Sequence, residues 1–250
     1  MSHQPAHPAS RTLPLAGGNA AASADVGVVL VAGGSGTRTA SSELKQFRWV
    51  AGKPMLLHSV QRFQARPDVA MVVCVLPRSH VGDPPPWLFQ SDLERLLISV
   101  GGPTRQASVE NGLQDLPAGL GIVVVHDAAR PLVSDATIDG VIAAARGGRG
   151  AVAALPVVDT LKEVGEDGRI VRTVERTRLW RAQTPQAFPR DMLARAHDAA
   201  NRDKVVATDD AALCERLGIP VVVVRGSERA MKITDESDFA RADALAGLSD

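Results

Sequence analysis

Short β-branched runs alternate with segments of about ten residues in helical period along most of this chain, and that alternation fixes its fold class. Runs at 26–31, 70–76, 98–100, 122–125, 151–155 and 221–224 read as buried strands. The segments 54–66, 87–97, 104–113, 134–145, 190–200, 209–217 and 235–245 read as helices, with Pro54 near a first turn and Ser134 as an N-cap. Parallel strands joined by helices cross over with one hand, so the pattern predicts a three-layer α/β/α domain built on a mostly parallel sheet. No internal repeat is visible.

Two segments depart from the rhythm. Residues 1–24 are rich in Ala, Pro, Ser, Gly and Asn without any period, which predicts a disordered extension and leaves 25–250 as the folded domain. Within 157–178, two alternating strands at 160–164 and 170–174 flank Glu166-Asp167-Gly168, a hairpin arm. An isolated hairpin is marginal in water, so this arm packs either on its own chain or on a second copy.

Composition excludes several function classes. Lys and Arg total 28 against 28 Asp and Glu, so no net charge draws the chain to a polyanion or an acidic membrane. Aromatic residues make up 3% with no Tyr, which leaves no stacking platform for single-stranded nucleic acid. Phosphate binding would then rest on locally placed cations and backbone amides around a small ligand. No apolar run reaches the roughly 20 residues of a membrane span and no secretory leader pattern opens the chain, which predicts a cytoplasmic protein. Cys74 and Cys214 stand apart from any metal-ligand spacing and read as reduced core residues.

In an open parallel sheet, ligands bind beyond the carboxyl ends of the strands, and the unusual residues fall there. The first strand runs into Ala32-Gly33-Gly34-Ser35-Gly36-Thr37-Arg38, where glycines admit phosphate oxygens to backbone N–H groups and Arg38 adds a delocalised cation. The spacing is neither the dinucleotide fingerprint nor the Walker loop. Lys45 follows seven residues on, close enough for a loop to bring a second cation to the same phosphate. Another strand ends at His126-Asp127, where a carboxylate can meet a metal or a hydroxyl.

These features resemble the signature of sugar-nucleotide and polyol-phosphate nucleotidyltransferases. Further segments narrow the likeness. Gly101-Gly102-Pro103-Thr104-Arg105-Gln106-Ala107-Ser108-Val109, His126-Asp127-Ala128-Ala129-Arg130-Pro131, Pro156-Val157-Val158-Asp159-Thr160-Leu161-Lys162, Thr184-Pro185-Gln186, Thr208-Asp209-Asp210 and Met231-Lys232-Ile233-Thr234 resemble the 2-C-methyl-D-erythritol 4-phosphate cytidylyltransferase family over residues 26–245. The resemblance implies a Rossmann-like nucleotidyltransferase domain whose arm joins two copies into a homodimer. It implies cytidylyl transfer from CTP to a polyol phosphate, with Mg2+ as cofactor and pyrophosphate released.

Site residues follow from the same resemblance. Arg38, Lys45 and Lys232 would be the catalytic cations. Ala32, Gly33, Gly34, Ser35, Gly36, Gly101, Gly102 and Ser108 would hold CTP. Asp127, Arg130, Thr208 and Lys232 would meet the acceptor, joined by Thr160 and Arg176 from across the dimer, and Asp127 would also hold the metal. Leu44, Gly33, Thr39 and Pro103 stand where the family more often has Pro, Ala, Met and an acidic residue. Two alternatives stay open: a ribitol 5-phosphate cytidylyltransferase, which differs only in acceptor, and a catalytically silent nucleotide-binding protein of the same fold.

Overall fold

The computed structural model describes residues 24–34 and 44–248. The expected extension over 1–24 falls outside these residues except for Ala24. Strand β1 (Val26–Val31) leads to the glycine-rich loop, and a two-residue hairpin of β2 (Trp49–Val50) and β3 (Lys53–Pro54) follows. Its turn residues Ala51 and Gly52 both have positive φ, the geometry that suits the right-handed strand twist. Helix α1 (Met55–Gln64), β4 (Val69–Leu76), β5 (Leu96–Val100), α2 (Arg105–Asp115), β6 (Ile122–Asp127), α3 (Asp135–Arg146) and β7 (Gly150–Pro156) come next. The chain then builds β8 (Leu161–Val164) and β9 (Ile170–Val174), and returns through β10 (Trp180–Pro189), α4 (Arg190–Asp203), α5 (Asp210–Arg216), β11 (Val221–Arg225) and α6 (Glu236–Ala246).

The main sheet has the order β11-β7-β10-β6-β1-β4-β5. Only β10 runs against its neighbours, so the carboxyl ends of β1, β4, β5 and β6 open on one edge. Alternation along β1 sets the layers: Val26, Val28 and Leu30 face the cluster that holds Leu56, Phe63, Ile138 and Ile142 of α1 and α3. Val29 faces the opposite cluster with Val109, Leu113, Leu193 and Leu213 of α2, α4 and α5. Each such side chain contributes about 1.5–3 kcal/mol by leaving water, and a one-residue slip would turn both sets the wrong way.

Side-chain caps start four of the helices, Ser134 as expected. Thr104, Ser134 and Asp209 accept backbone N–H groups of α2, α3 and α5, and Asp235 closes a capping box on α6. Cys74 and Cys214 are buried free thiols, each pushed up to about 12 by burial, which keeps them protonated and inert. No described helix is long and apolar enough to cross a membrane.

Two expectations need correction. The helix predicted over 87–97 is instead a pair of 3₁₀ turns, Pro86–Gln90 and Leu93–Arg95, and Leu96 already belongs to β5. Tertiary bonds prevail here: the Gln64 amide pairs with the backbone of Asp92, and Arg95 donates to the Arg66 and Val69 carbonyls. The second is β10, which the sequence did not announce, since Pro185 argues against a central strand and Gln183 and Gln186 against a buried one. Its ladder to β7 shifts register between Ala182 and Gln186, around that proline. Both glutamines are buried but paired, Gln183 with the Ser227 backbone and Gln186 with Asp209 and the Ala211 N–H.

The arm appears as expected. Strands β8 and β9 pair only with each other and are inserted between the antiparallel neighbours β7 and β10.

Candidate active site

A cleft of about 690 Å³ opens at the carboxyl ends of β1, β5 and β6, within the size range of small-molecule sites. One wall is glycine. A Cβ on Gly101 would stand 3.1 Å from the Leu76 carbonyl oxygen, and one on Gly102 only 2.5 Å from the Ala107 Cβ. No other residue permits so close a turn onto α2. Ser108 locks that turn, donating to the Thr104 carbonyl at 2.9 Å and accepting the Gly102 N–H at 3.1 Å. On the facing wall Gln46 donates to the carbonyls of Ala32 and Gly34, at 2.6 and 3.1 Å, and so fixes the start of the glycine-rich loop.

Charge in the cleft is mostly positive: among the described lining residues, Lys45, Arg105 and Lys232 stand against Asp127 alone. Lys45 Nζ donates to the Ile233 carbonyl at 2.7 Å, which ties the β1 side of the cleft to the segment that carries Lys232. Asp127 ends β6, where its carboxylate accepts from Lys232 Nζ at 2.8 Å and Arg105 Nε at 3.2 Å. Burial alone would raise its pKa, but Arg105, Lys232 and Arg130 outweigh that and hold the carboxyl well below the usual range. Arg105 continues to buried Asp210 at 2.8 Å, and Asp210 meets His197 Nε2 at 3.0 Å. Burial pulls the Arg105 guanidinium down, yet Asp210 and Asp127 reverse this and raise it.

The structure gathers Ala32, Gly33, Gly34, Lys45, Gly102, Ser108, Asp127 and Lys232 around this cleft, with Gly101 beneath the turn, its N–H on the Leu76 carbonyl. Ser35, Gly36 and Arg38 lie outside the described residues. Arg130 sits behind Asp127, its guanidinium on the Ala230 carbonyl at 2.7 Å. Thr208 is exposed just before the cap of α5. Thr160 and Arg176 are exposed on the arm, where Arg176 donates to the Val157 carbonyl at 3.1 Å, and neither is among the described residues of the cleft.

Sequence reasoning missed Arg105. One signal was present: it is the first residue of α2, where a cation opposes the helix dipole, and a broken local rule often marks a site. Its two carboxylate partners explain the choice.

Among the described residues no group of three His, Cys, Asp or Glu is placed to hold a metal ion. Asp127 is the single carboxylate of the described lining, and both its oxygens already serve cations. This donor set fits a Mg2+ that arrives on phosphate oxygens, with Asp127 adding at most one ligand, and not a cage made by the protein.

The model of the family described as 2-C-methyl-D-erythritol 4-phosphate cytidylyltransferase matches residues 26–247. A protein of that name from Syntrophus aciditrophicus is 43% identical over 220 residues, 87% of this chain and 94% of its own. One from Streptomyces avermitilis is 44% identical over 227 residues, 87% of this chain and 90% of its own. The crystal structure of the Thermus thermophilus protein superposes with a TM-score of 0.74 at 37% identity, covering 88% of this chain and 98% of that one. A family model over 222 residues and relatives above 40% identity leave one conclusion: the chain belongs to the 2-C-methyl-D-erythritol 4-phosphate cytidylyltransferase family.

Proposed function

We propose that this protein transfers the cytidylyl group of CTP to 2-C-methyl-D-erythritol 4-phosphate, releasing pyrophosphate, as a step toward isoprenoid precursors in the cytoplasm. The observation that carries this reading is the meeting of Lys45, Lys232 and Arg105 in one cleft whose walls are backbone amides and glycine. In the reaction an acceptor phosphate oxygen attacks the α-phosphorus of CTP. A new phosphoanhydride forms as the bond to the β-phosphate breaks, and the electron pair leaves with pyrophosphate. Such a displacement needs in-line placement and fixed positive charge, with no covalent enzyme intermediate.

Lys45 and Arg38 flank the triphosphate, and Lys232 leaves Asp127 for the transferring phosphoryl oxygens. Ala32, Gly33, Gly34, Ser35 and Gly36 present backbone to the phosphates, while Gly101, Gly102 and Ser108 shape the pocket for the base and ribose. Arg130, Thr208 and Asp127 receive the polyol phosphate. Mg2+, when bound, supplies charge neutralisation across the phosphate oxygens. Asp127, released from Lys232, is the residue that would touch it directly or through water.

The arm supports a symmetric homodimer in this reading. Val158, Val164, Ile170 and Val171 are each more than half exposed, an apolar load that a second copy would cover. Thr160 and Arg176 of the partner subunit then complete the acceptor site, where a guanidinium fork suits a dianionic phosphate. The test is pyrophosphate release from CTP and Mg2+ with methylerythritol phosphate or ribitol phosphate. Release with the first supports the reading, release with ribitol phosphate alone reassigns the acceptor, and none with either overturns the activity.

A further inference from the structure

Behind the cleft, the turn that carries Asp127 and Arg130 is held by a buried pair with no part in the phosphate chemistry above. His126, fully buried, sits edge-on to the Phe63 ring of α1 at 5.3 Å. Its Nε2 is 3.1 Å from the Arg130 carbonyl oxygen and its Nδ1 is 3.1 Å from Thr184 Oγ. A carbonyl only accepts, so Nε2 bears the hydrogen and Nδ1 offers a lone pair to the Thr184 hydroxyl. That hydroxyl in turn accepts the backbone N–H of Asp127 at 3.0 Å.

The polarity of the chain is thus assigned throughout. Asp127 N–H donates to Thr184, Thr184 O–H donates to His126, and His126 Nε2–H donates to the Arg130 carbonyl. Register explains why a side chain does this work. The β10 ladder on β6 begins only at Gln186 opposite Val125, so Thr184 replaces a missing backbone rung at Asp127. The turn is closed by the Arg130 N–H on the Asp127 carbonyl at 3.0 Å. The ring is fully buried and its two nitrogens meet a carbonyl and a hydroxyl, with no carboxylate on either, a setting that suits the neutral ring. Neither His126 nor Thr184 is among the described residues that line the cleft.

We infer that His126 is a positioning residue, a neutral ring protonated on Nε2 that acts through Thr184 to set the backbone on which Asp127 and Arg130 meet the acceptor. This rests on the proposed assignment of those two residues to the acceptor. The nucleotide half of the cleft hangs on other supports, Gln46 and Ser108. Loss of the relay should therefore fall on the acceptor and on turnover, and spare CTP.

Two measurements test it. Thr184→Val removes the hydroxyl at nearly constant volume and Thr184→Ser restores it. The valine variant should lose about 10- to 100-fold in kcat and raise the acceptor KM with CTP affinity unchanged, and the serine variant should recover most of the loss. Histidine ¹⁵N shifts in the wild-type protein should show Nε2 protonated and Nδ1 bare from about pH 6 to 9. The opposite tautomer, a charged ring in that range, unchanged kinetics in Thr184→Val, or equal loss of CTP and acceptor binding would each overturn the relay. Because the tautomer is read without turnover, the relay is judged even if the wild-type protein transfers no cytidylyl group.

Discussion

Arg105 and Arg176 have the same side chain, yet the cleft floor and the arm give them different weight. Arg105 lies between Asp127 and Asp210, and Asp210 is 1% exposed. Arg176 is exposed, with its guanidinium on the Val157 carbonyl. Around it the arm holds pairs such as Arg172 with Glu163 at 2.6 Å, both largely in water. Ion pairs of that kind are worth about 0–1 kcal/mol, whereas stripping one partner from a buried pair costs about 3–5 kcal/mol. The cleft floor is thus complete within one chain, and the arm gains weight only from what packs on it.

The largest expected effect is on stability. Arg105→Ala leaves Asp210 buried beside His197 with its cation gone and frees one oxygen of Asp127. We expect urea unfolding to show a loss of about 3 kcal/mol or more. Arg176→Ala, without ligand, should stay within about 0.5 kcal/mol. If both variants lost the same small amount, the distinction between floor and arm would collapse.

Next in size is a histidine pH effect that the arm does not share, since residues 157–178 contain no histidine. Burial lowers His126 from 6.5 to about 4. The unfolded chain therefore takes up the proton first, and stability falls as pH drops from about 6.5 to about 4, by up to about 3 kcal/mol. Asp127 has the opposite profile: its folded pKa is depressed, so its contribution persists through this window and is lost only at lower pH. His58, also lowered chiefly by burial, adds to the slope in the same direction. Comparison with His126→Gln isolates the share of His126, and an unchanged slope in that variant would assign the effect elsewhere.

Legibility in the sequence divides along similar lines. Strand β1, the Ser134 cap and the arm depend on neighbours in the chain, on β-branching, an N-cap oxygen and alternation around Glu166-Asp167-Gly168, so local reading finds them. Arg105, by contrast, is explained by Asp127 and Asp210, which lie 22 and 105 residues away. The segment 87–97 looks helical because Phe89, Leu93 and Leu97 keep a spacing of four, and the grip of Gln64 and Arg95 on distant backbone decides otherwise. Strand β10 is hidden by polar residues whose partners come from Ser227 and Asp209. Lys45, Asp127 and Lys232, singled out by the motif resemblance, line one cleft, although no spacing rule would have united them.

The third effect is on turnover. Lys45→Ala and Arg38→Ala should each lower kcat on the order of 10²-fold while changing the acceptor KM far less, because fixed charge near the α-phosphorus acts mainly in the transition state. Steady-state kinetics with saturating CTP reads this directly. Near-normal kcat in either variant would move that residue from catalysis to binding.

The smallest effect is the one that decides what the arm is for. If Arg176 serves the partner's acceptor site, Arg176→Ala damages the site across the interface, whereas Lys45→Ala damages the site of its own chain. In a mixed dimer of the two variants both lesions then fall in one site and the other is intact. Random mixing makes such heterodimers about half the time, so two nearly inactive proteins should together recover about a quarter of wild-type activity. Recovery requires composite sites, because a chain that used its own Arg176 would carry one lesion in every site. Exchange is verified separately, by tagging one variant and measuring its co-purification with the other. If heterodimers are present and activity stays at the parental level, Arg176 acts within its own chain, and the arm's exposed valines and Ile170 are left with a purely structural task.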